Sequence, residues 1–146
     1  MATFLLRRTA PLTADECFER LTDWSRHGDR VPFTRVSATR GSGRAAGDVI
    51  LARTVVGPFG FDDPMEIVRF DPPGAGRAGL CRLEKRGRVV RGWAEFRVRP
   101  ATADDGRAEA LWVEEIRVRG LPAAFDPVVA GVARLVFGRV LAALLG

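Results

Sequence analysis

From Phe33 to Arg119 the chain is cut into short segments rich in alternating apolar and polar residues, separated by "RGSGRAAGD", "GPFG", "DPPGAGRAG", "KRG" and "PATADDGRA". Gly, Pro and Asp supply the left-handed or fixed backbone angles that tight chain reversals need. The segments 33–40, 47–56, 61–70, 79–86, 88–99 and 108–119 are spaced like strands of successive hairpins. One more segment, "TFLLRRT" at 3–9, precedes them and is ended by Pro11, whose ring removes a ladder donor. The sheet expected from this pattern has seven strands and is mostly antiparallel.

Helices are signalled at two places. In "LTADECF", Thr13 can cap the amide three residues on while Glu16 reaches back, and Leu12 can pack on Cys17. A short helix to about Asp23 follows, and "DWSRHGDRVP" is so broken by Gly28 and Pro32 that only a further helical turn or two is expected there. After "LPAAF", Asp126 reads as an N-cap and Pro127 suits the first helical position. On a 100° wheel Val129, Ala133, Val136, Phe137, Val140 and Leu144 share one face, with Gly131, Gly138 and Ala142 opposite, between Arg134 and Arg139. The apolar face is expected to press on the sheet.

The order is thus one strand, two short helices, six strands and a long last helix: an α+β chain with a curved sheet around the C-terminal helix. With 146 residues, 47% of them hydrophobic, a single domain spanning 1–146 can bury roughly 70% of its unfolded surface. A curved sheet is wider than one helix, so the space between them is a natural cavity for a small molecule.

Charge and special residues exclude other classes. The net charge of +5 comes from cations spread along the chain, 22 of the 23 basic residues being Arg and Lys85 the sole Lys, so it reads first as a solubility property. "RGWAEFRV" at 91–98 faintly resembles an RNA-recognition signature, but Glu95 stands where an aromatic should stack on a base, and no nucleic-acid partner is expected. Cys17, Cys81 and His27 are too few and too scattered for a structural zinc site. Neither a metal nor a cofactor is expected, nor a disulfide framework. "MATFLLRRTAPL" is too short in apolar residues for a signal core, and Arg134 and Arg139 interrupt the apolar C-terminal run. Cytoplasmic location without membrane insertion is the default expectation, as a monomer or homodimer.

In its order of elements, "TFLLRRTAPLTADECFERLTDW", "GPFGFDDPMEIVRFDPP", "VVRGWAEFRV", "LWVEEIRV" and the final amphipathic helix, the chain resembles the START-like helix-grip superfamily (SRPBCC), in particular its polyketide cyclase/dehydrase-like branch. The resemblance implies a hydrophobic cavity between sheet and last helix that takes lipids, polyketides or other apolar molecules, with cyclisation or dehydration in some relatives. Relatives of the aromatase/cyclase kind often use a pocket tyrosine, and this chain has no Tyr.

Strand phase nominates the polar residues of such a cavity. Asp63 is in phase with Phe61, Met65 and Ile67, while Asp62 and Glu66 alternate away. Pro64 leaves a second reading open, a turn or edge carboxylate re-aimed by a bulge. Glu114 lies between Trp112 and Ile116 on one strand face, where lost water raises a carboxyl pKa toward the range useful for proton transfer. Arg53 is in phase with Val49, Leu51 and Val55, but the opposite face of its segment is equally apolar. If inward, it partners Glu114 or Asp63 as a buried ion pair or anchors an acidic ligand group. His27 is either a surface residue or a proton exchanger near the cavity mouth. The lining is expected to include Phe61, Met65, Ile67, Phe96 and Trp112 from the sheet and Val136 and Val140 from the helix.

Three functions fit these features: a binder of a small hydrophobic ligand, a cyclase or dehydratase with Asp63, Glu114 or His27 as the proton-moving groups, and a protein-interaction domain with a filled core.

Overall fold

The computed structural model describes residues 1–101 and 106–146. Seven strands, β1 (Ala2–Ala10), β2 (Thr34–Arg40), β3 (Val49–Val56), β4 (Phe59–Asp71), β5 (Gly79–Lys85), β6 (Val90–Pro100) and β7 (Ala108–Val118), form one antiparallel sheet. Their order is β1-β7-β6-β5-β4-β3-β2. It is a meander from β2 to β7, with β1 added beside β7. Between β1 and β2 come α1 (Ala14–Leu21), α2 (Trp24–His27) and a 3-10 turn, and the chain ends in α3 (Asp126–Leu145). The turn expected across "PATADDGRA" falls partly on residues 102–105, outside the described residues.

The local signals are met in part. Thr13 Oγ1 accepts from the Glu16 amide at 3.1 Å, and Leu12 and Cys17 are both buried in the core. Asp126 is the first residue of α3 rather than its cap, which is Phe125, and Pro127 occupies the first turn. Gly92 in β6 has φ +129°, and a side chain there would run into the Glu115 carbonyl oxygen of β7. Only glycine lets the two strands approach so closely.

α3 packs mainly on β1 and α1. Ala133, Val140 and Leu144 of its expected inner face are buried, joined by Leu141 and Leu145. The outward stripe matches the expected Gly/Ala line only at Gly131, which is exposed; Gly138 and Ala142 are half-buried, and the exposed large apolar residues of α3 are Val128, Val132 and Leu135. Gly138 sits against Leu6 of β1, so the small residue serves a close helix-to-strand contact.

One end of the concave face is solid. Phe18, Leu21, Cys81, Val98, Ala108 and Leu144 close it, each with 2% or less exposed. Towards the other end, the inward residues of β3 to β7 meet α2 and α3 only in part and enclose the cavity described next.

Candidate functional site

A cavity of about 250 Å³ lies between the sheet, α2 and α3. Its apolar wall includes Val36, Ala52, Met65, Leu83, Ala94, Phe96, Ile116 and Phe137, with Trp24, His27 and Trp112 as larger ring-bearing surfaces. Phe61 stands at its edge, partly exposed. Trp112 packs 4.8 Å from Phe96 and 5.1 Å from Phe137, ring centre to ring centre. This places the aromatic wall at van der Waals distance from any guest in the hollow.

Three ionisable residues face this apolar space from three strands: Asp63 on β4, Lys85 on β5 and Glu114 on β7. Lys85 Nζ donates to Asp63 Oδ2 at 2.7 Å and lies 3.7 Å from Glu114 Oε1. It also contacts Met65 Sδ at 3.6 Å. The side chains of Lys85 and Glu114 are 4% and 5% exposed. Across the sheet Glu114 pairs with Ala94, and Ala94 pairs with Leu83, two residues before Lys85. The small Ala94 leaves room for Lys85 and Glu114 to approach over the intervening β6.

The electrostatics follow from two acids sharing one buried base. Burial pushes the Glu114 carboxyl up to about 7; Lys85 opposes the shift and Asp63 adds to it. Burial likewise raises Asp63, against the pull of Lys85. For Lys85, burial alone favours the neutral amine, but Glu114 and Asp63 outweigh it and the pKa is raised. The ammonium therefore stays charged at neutral pH and is an electrostatic anchor rather than a nucleophilic amine. Glu114, balanced near neutrality, can hold or release a proton.

Three buried polar atoms at this site have no hydrogen-bond partner among the described residues: Asp63 Oδ1, Glu114 Oε2 and Trp112 Nε1. Buried polar groups are nearly always satisfied, so two acceptors and a donor lining one cavity are an exception concentrated at one place.

His27 is buried, not at the surface. Its Nε2 donates to the Leu21 carbonyl at 2.6 Å, and its ring lies 5.2 Å from Trp24, 5.6 Å from Phe96 and 5.6 Å from Trp112. Burial holds its pKa below the ordinary value, against the opposing effects of the Leu21 bond and Asp23. The imidazole is neutral at pH 7 and forms part of the cavity wall.

Among the other nominated residues, Asp63, Glu114, Phe61, Met65, Phe96 and Trp112 all line the cavity. Ile67 is fully buried but belongs to the core, and Val140 is likewise core. Val136 does not line the cavity either; Phe137, its neighbour on α3, does. Arg53 alternates away from Ala52 and Thr54, which line the hollow. Its side chain is 63% exposed and stands 3.8 Å from Asp62. The cation beside the two acids is Lys85 instead, a residue that strand phase in "GLCRLEK" could have nominated through Cys81 and Leu83.

Pro64 does not re-aim Asp63. Its carbonyl accepts from the Arg86 amide at 2.8 Å, and β4–β5 pairing starts at Met65. Within a strand the N and C=O of one residue point to the same side. The missing N–H therefore faces the place where the β5 ladder has ended.

No family model matches this sequence, and no curated protein matches it. Solved structures do. A START superfamily protein from Mycobacterium smegmatis superimposes with a TM-score of 0.71 at 10% identity, over 99% of this chain and 97% of that one. The Zhui aromatase/cyclase from Streptomyces sp. R1128 gives 0.63 at 20% identity, over 99% and 91%. Norcoclaurine synthase from Thalictrum flavum, solved with dopamine and hydroxybenzaldehyde, gives 0.62 at 15% identity, over 97% and 84%. Together with the seven-stranded sheet and long final helix, these likenesses show that the chain has the helix-grip fold of the START-like (SRPBCC) superfamily.

Proposed function

We propose that the protein binds a small, mostly apolar molecule in the cavity and orients it through Asp63, Lys85 and Glu114. The observation that carries this reading is the coincidence of an apolar hollow of about 250 Å³ with three buried polar atoms lacking partners. A ligand bearing one or two hydrogen-bonding groups satisfies those atoms while its apolar body covers Trp112, Phe96 and Met65. The START-like fold supports the reading, as do an aromatase/cyclase and a synthase solved with two small aromatic molecules among its structural neighbours. The open volume weighs against a filled-core interaction domain.

The test is titration with the neutral fluorescent probe N-phenyl-1-naphthylamine. The expected result is saturable binding to the wild type, lost in Ala94→Phe, whose ring fills the hollow, while the unfolding midpoint shows that the variant is folded. Because overpacking can itself destabilise, Ala94→Leu serves as a second variant and weakens binding less. Equal probe binding by all three proteins would sink the reading.

A second reading, a cyclase or dehydratase, is favoured by the Glu114 carboxyl at about 7. A general base works best with a pKa near the operating pH. Ionised Glu114 would take the proton α to a ligand carbonyl, and the Lys85 ammonium would steady the enolate oxygen. Its signature is exchange of the α-hydrogen of a bound 1,3-diketone with deuterated solvent, faster than in buffer and abolished in Glu114→Gln with binding retained. Binding without accelerated exchange leaves the carrier.

A further inference from the structure

A second, open cleft of about 1220 Å³ adjoins the cavity, and Val31 and Thr34 line both. Its walls come from the segment Gly28–Arg35, from Arg53 and Val55 of β3, and from Arg139, Ala142 and Ala143 of α3. Four arginines thus line it, Arg30, Arg35, Arg53 and Arg139, against one lining carboxylate, Asp29. Arg53 has Asp62 at 3.8 Å. Among the described residues no carboxylate forms an ion pair with Arg30, Arg35 or Arg139.

Two features set this rim apart from arginines scattered over a basic surface. Arg35 and Arg53 are directly opposite in the β2–β3 ladder, a like-charge placement that costs stability unless something neutralises it. Beside them Phe33 adopts φ +59°, the sole positive value outside glycine among the described residues. The Val55 amide donates to its carbonyl at 3.0 Å, and its ring is 68% exposed in the cleft. A bulky residue held in the left-handed region is the kind of strain that clusters at binding sites. At the junction, Thr34 Oγ1 and Thr54 Oγ1 are 2.8 Å apart, a polar threshold between the charged rim and the apolar interior.

We propose that the cleft is a second subsite that takes an anionic group, a phosphate or carboxylate, so that the protein's ligand is an amphiphilic anion with its head among Arg30, Arg35 and Arg139 and its apolar tail in the cavity. The tail's place rests on the binding reading above; the head group's place rests on the cleft alone. Arginine suits this task because its planar fork binds phosphate and carboxylate bidentately.

The experiment compares octyl phosphate, octanoate and 1-octanol by isothermal titration calorimetry, and follows inorganic phosphate by amide chemical shifts. Wild-type protein is set beside the double variant Arg35→Ala, Arg139→Ala. The expected result is that both anions bind the wild type at least tenfold tighter than octanol, with the margin shrinking as salt rises. In the variant that margin disappears while octanol binding is unchanged. Phosphate alone shifts the Phe33 and Arg35 amides of the wild type, and in the variant it leaves the Phe33 amide unmoved. If octanol binds as tightly as the anions, or the variant keeps the margin, the subsite is overturned and the cavity reading stands. If phosphate moves those amides but no octyl compound binds, the anion subsite is upheld and the cavity reading falls. If neither phosphate nor any octyl compound binds, both fall.

Discussion

The two faces of the sheet treat charge in opposite ways. On the outer face, acids and bases alternate in pairs at the rim of the solvent, Arg82 with Glu84 and Glu95, Arg97 with Glu95, Arg99 with Glu109, Arg117 with Glu115, the acids partly covered and Arg97, Arg99 and Arg117 exposed. Each is balanced across neighbouring strands or along one strand and keeps access to water. On the inner face a single base, Lys85, serves two acids in an apolar hollow, and the cluster is left with acceptor atoms to spare. The first arrangement is solvated pairing worth about 0.2–1 kcal/mol per pair. The second costs stability, because buried charges lose more hydration than they regain from each other. The binding role proposed above would give such a cluster a use besides holding the molecule together.

The largest difference between the faces is expected on removing the shared base. Lys85→Met leaves two carboxylates in an apolar site and should cost about 3–5 kcal/mol at pH 8, measured by urea unfolding. At pH 5 the loss should be much smaller, because the acids then hold protons. A loss that is small at both pH values would mean that the interior is wetter than the cluster's burial indicates.

Next in size is Glu114→Gln, with the opposite sign. The raised pKa means that the folded state holds this proton more tightly than the unfolded chain. The favourable contribution of wild-type Glu114 is therefore complete below pH 4.5 and is lost as pH climbs through about 7. At pH 8 the amide variant should be more stable than wild type by up to about 3 kcal/mol, with the gap closing at pH 4.5. A destabilised variant at pH 8 would place Glu114 in a net favourable pair with Lys85. Smallest of all, Arg99→Ala on the outer face should cost no more than about 1 kcal/mol and lose even that in 1 M salt.

Phase along the strands carried much of this site. Asp63 was readable from Phe61 and Met65, and Glu114 from Trp112, since alternation fixes the face once one residue's side is known. For Arg53 that anchor was missing: Val49, Leu51 and Val55 are as apolar as Ile50, Ala52 and Thr54, and the facing was settled by the cavity that Ala52 and Thr54 line. Ile67, Val136 and Val140 show a second limit, because a pattern gives the inward face but not how far along it the packing stays solid. His27 sits in the polar run "WSRHGDR", and its burial arises from rings distant in sequence, Phe96 and Trp112. Lys85 is legible by the same phase rule: a lone lysine among so many arginines, aligned with Cys81 and Leu83, marks a position where a slender stem reaching a single point is needed.

β2 closes the sheet at the edge nearest the cleft. It is the outermost strand on its side, paired in the sheet with β3 alone and backed by α2 and the 3-10 turn, with its register broken between Ala38 and Arg40, whereas Lys85 lies on the middle strand of seven. Local opening of an edge strand demands less free energy than global unfolding. If a guest binds as proposed, its entry and escape past Val31 and Thr34 would be timed by that seam, on a clock separate from the unfolding of the molecule, with the charged centre still assembled.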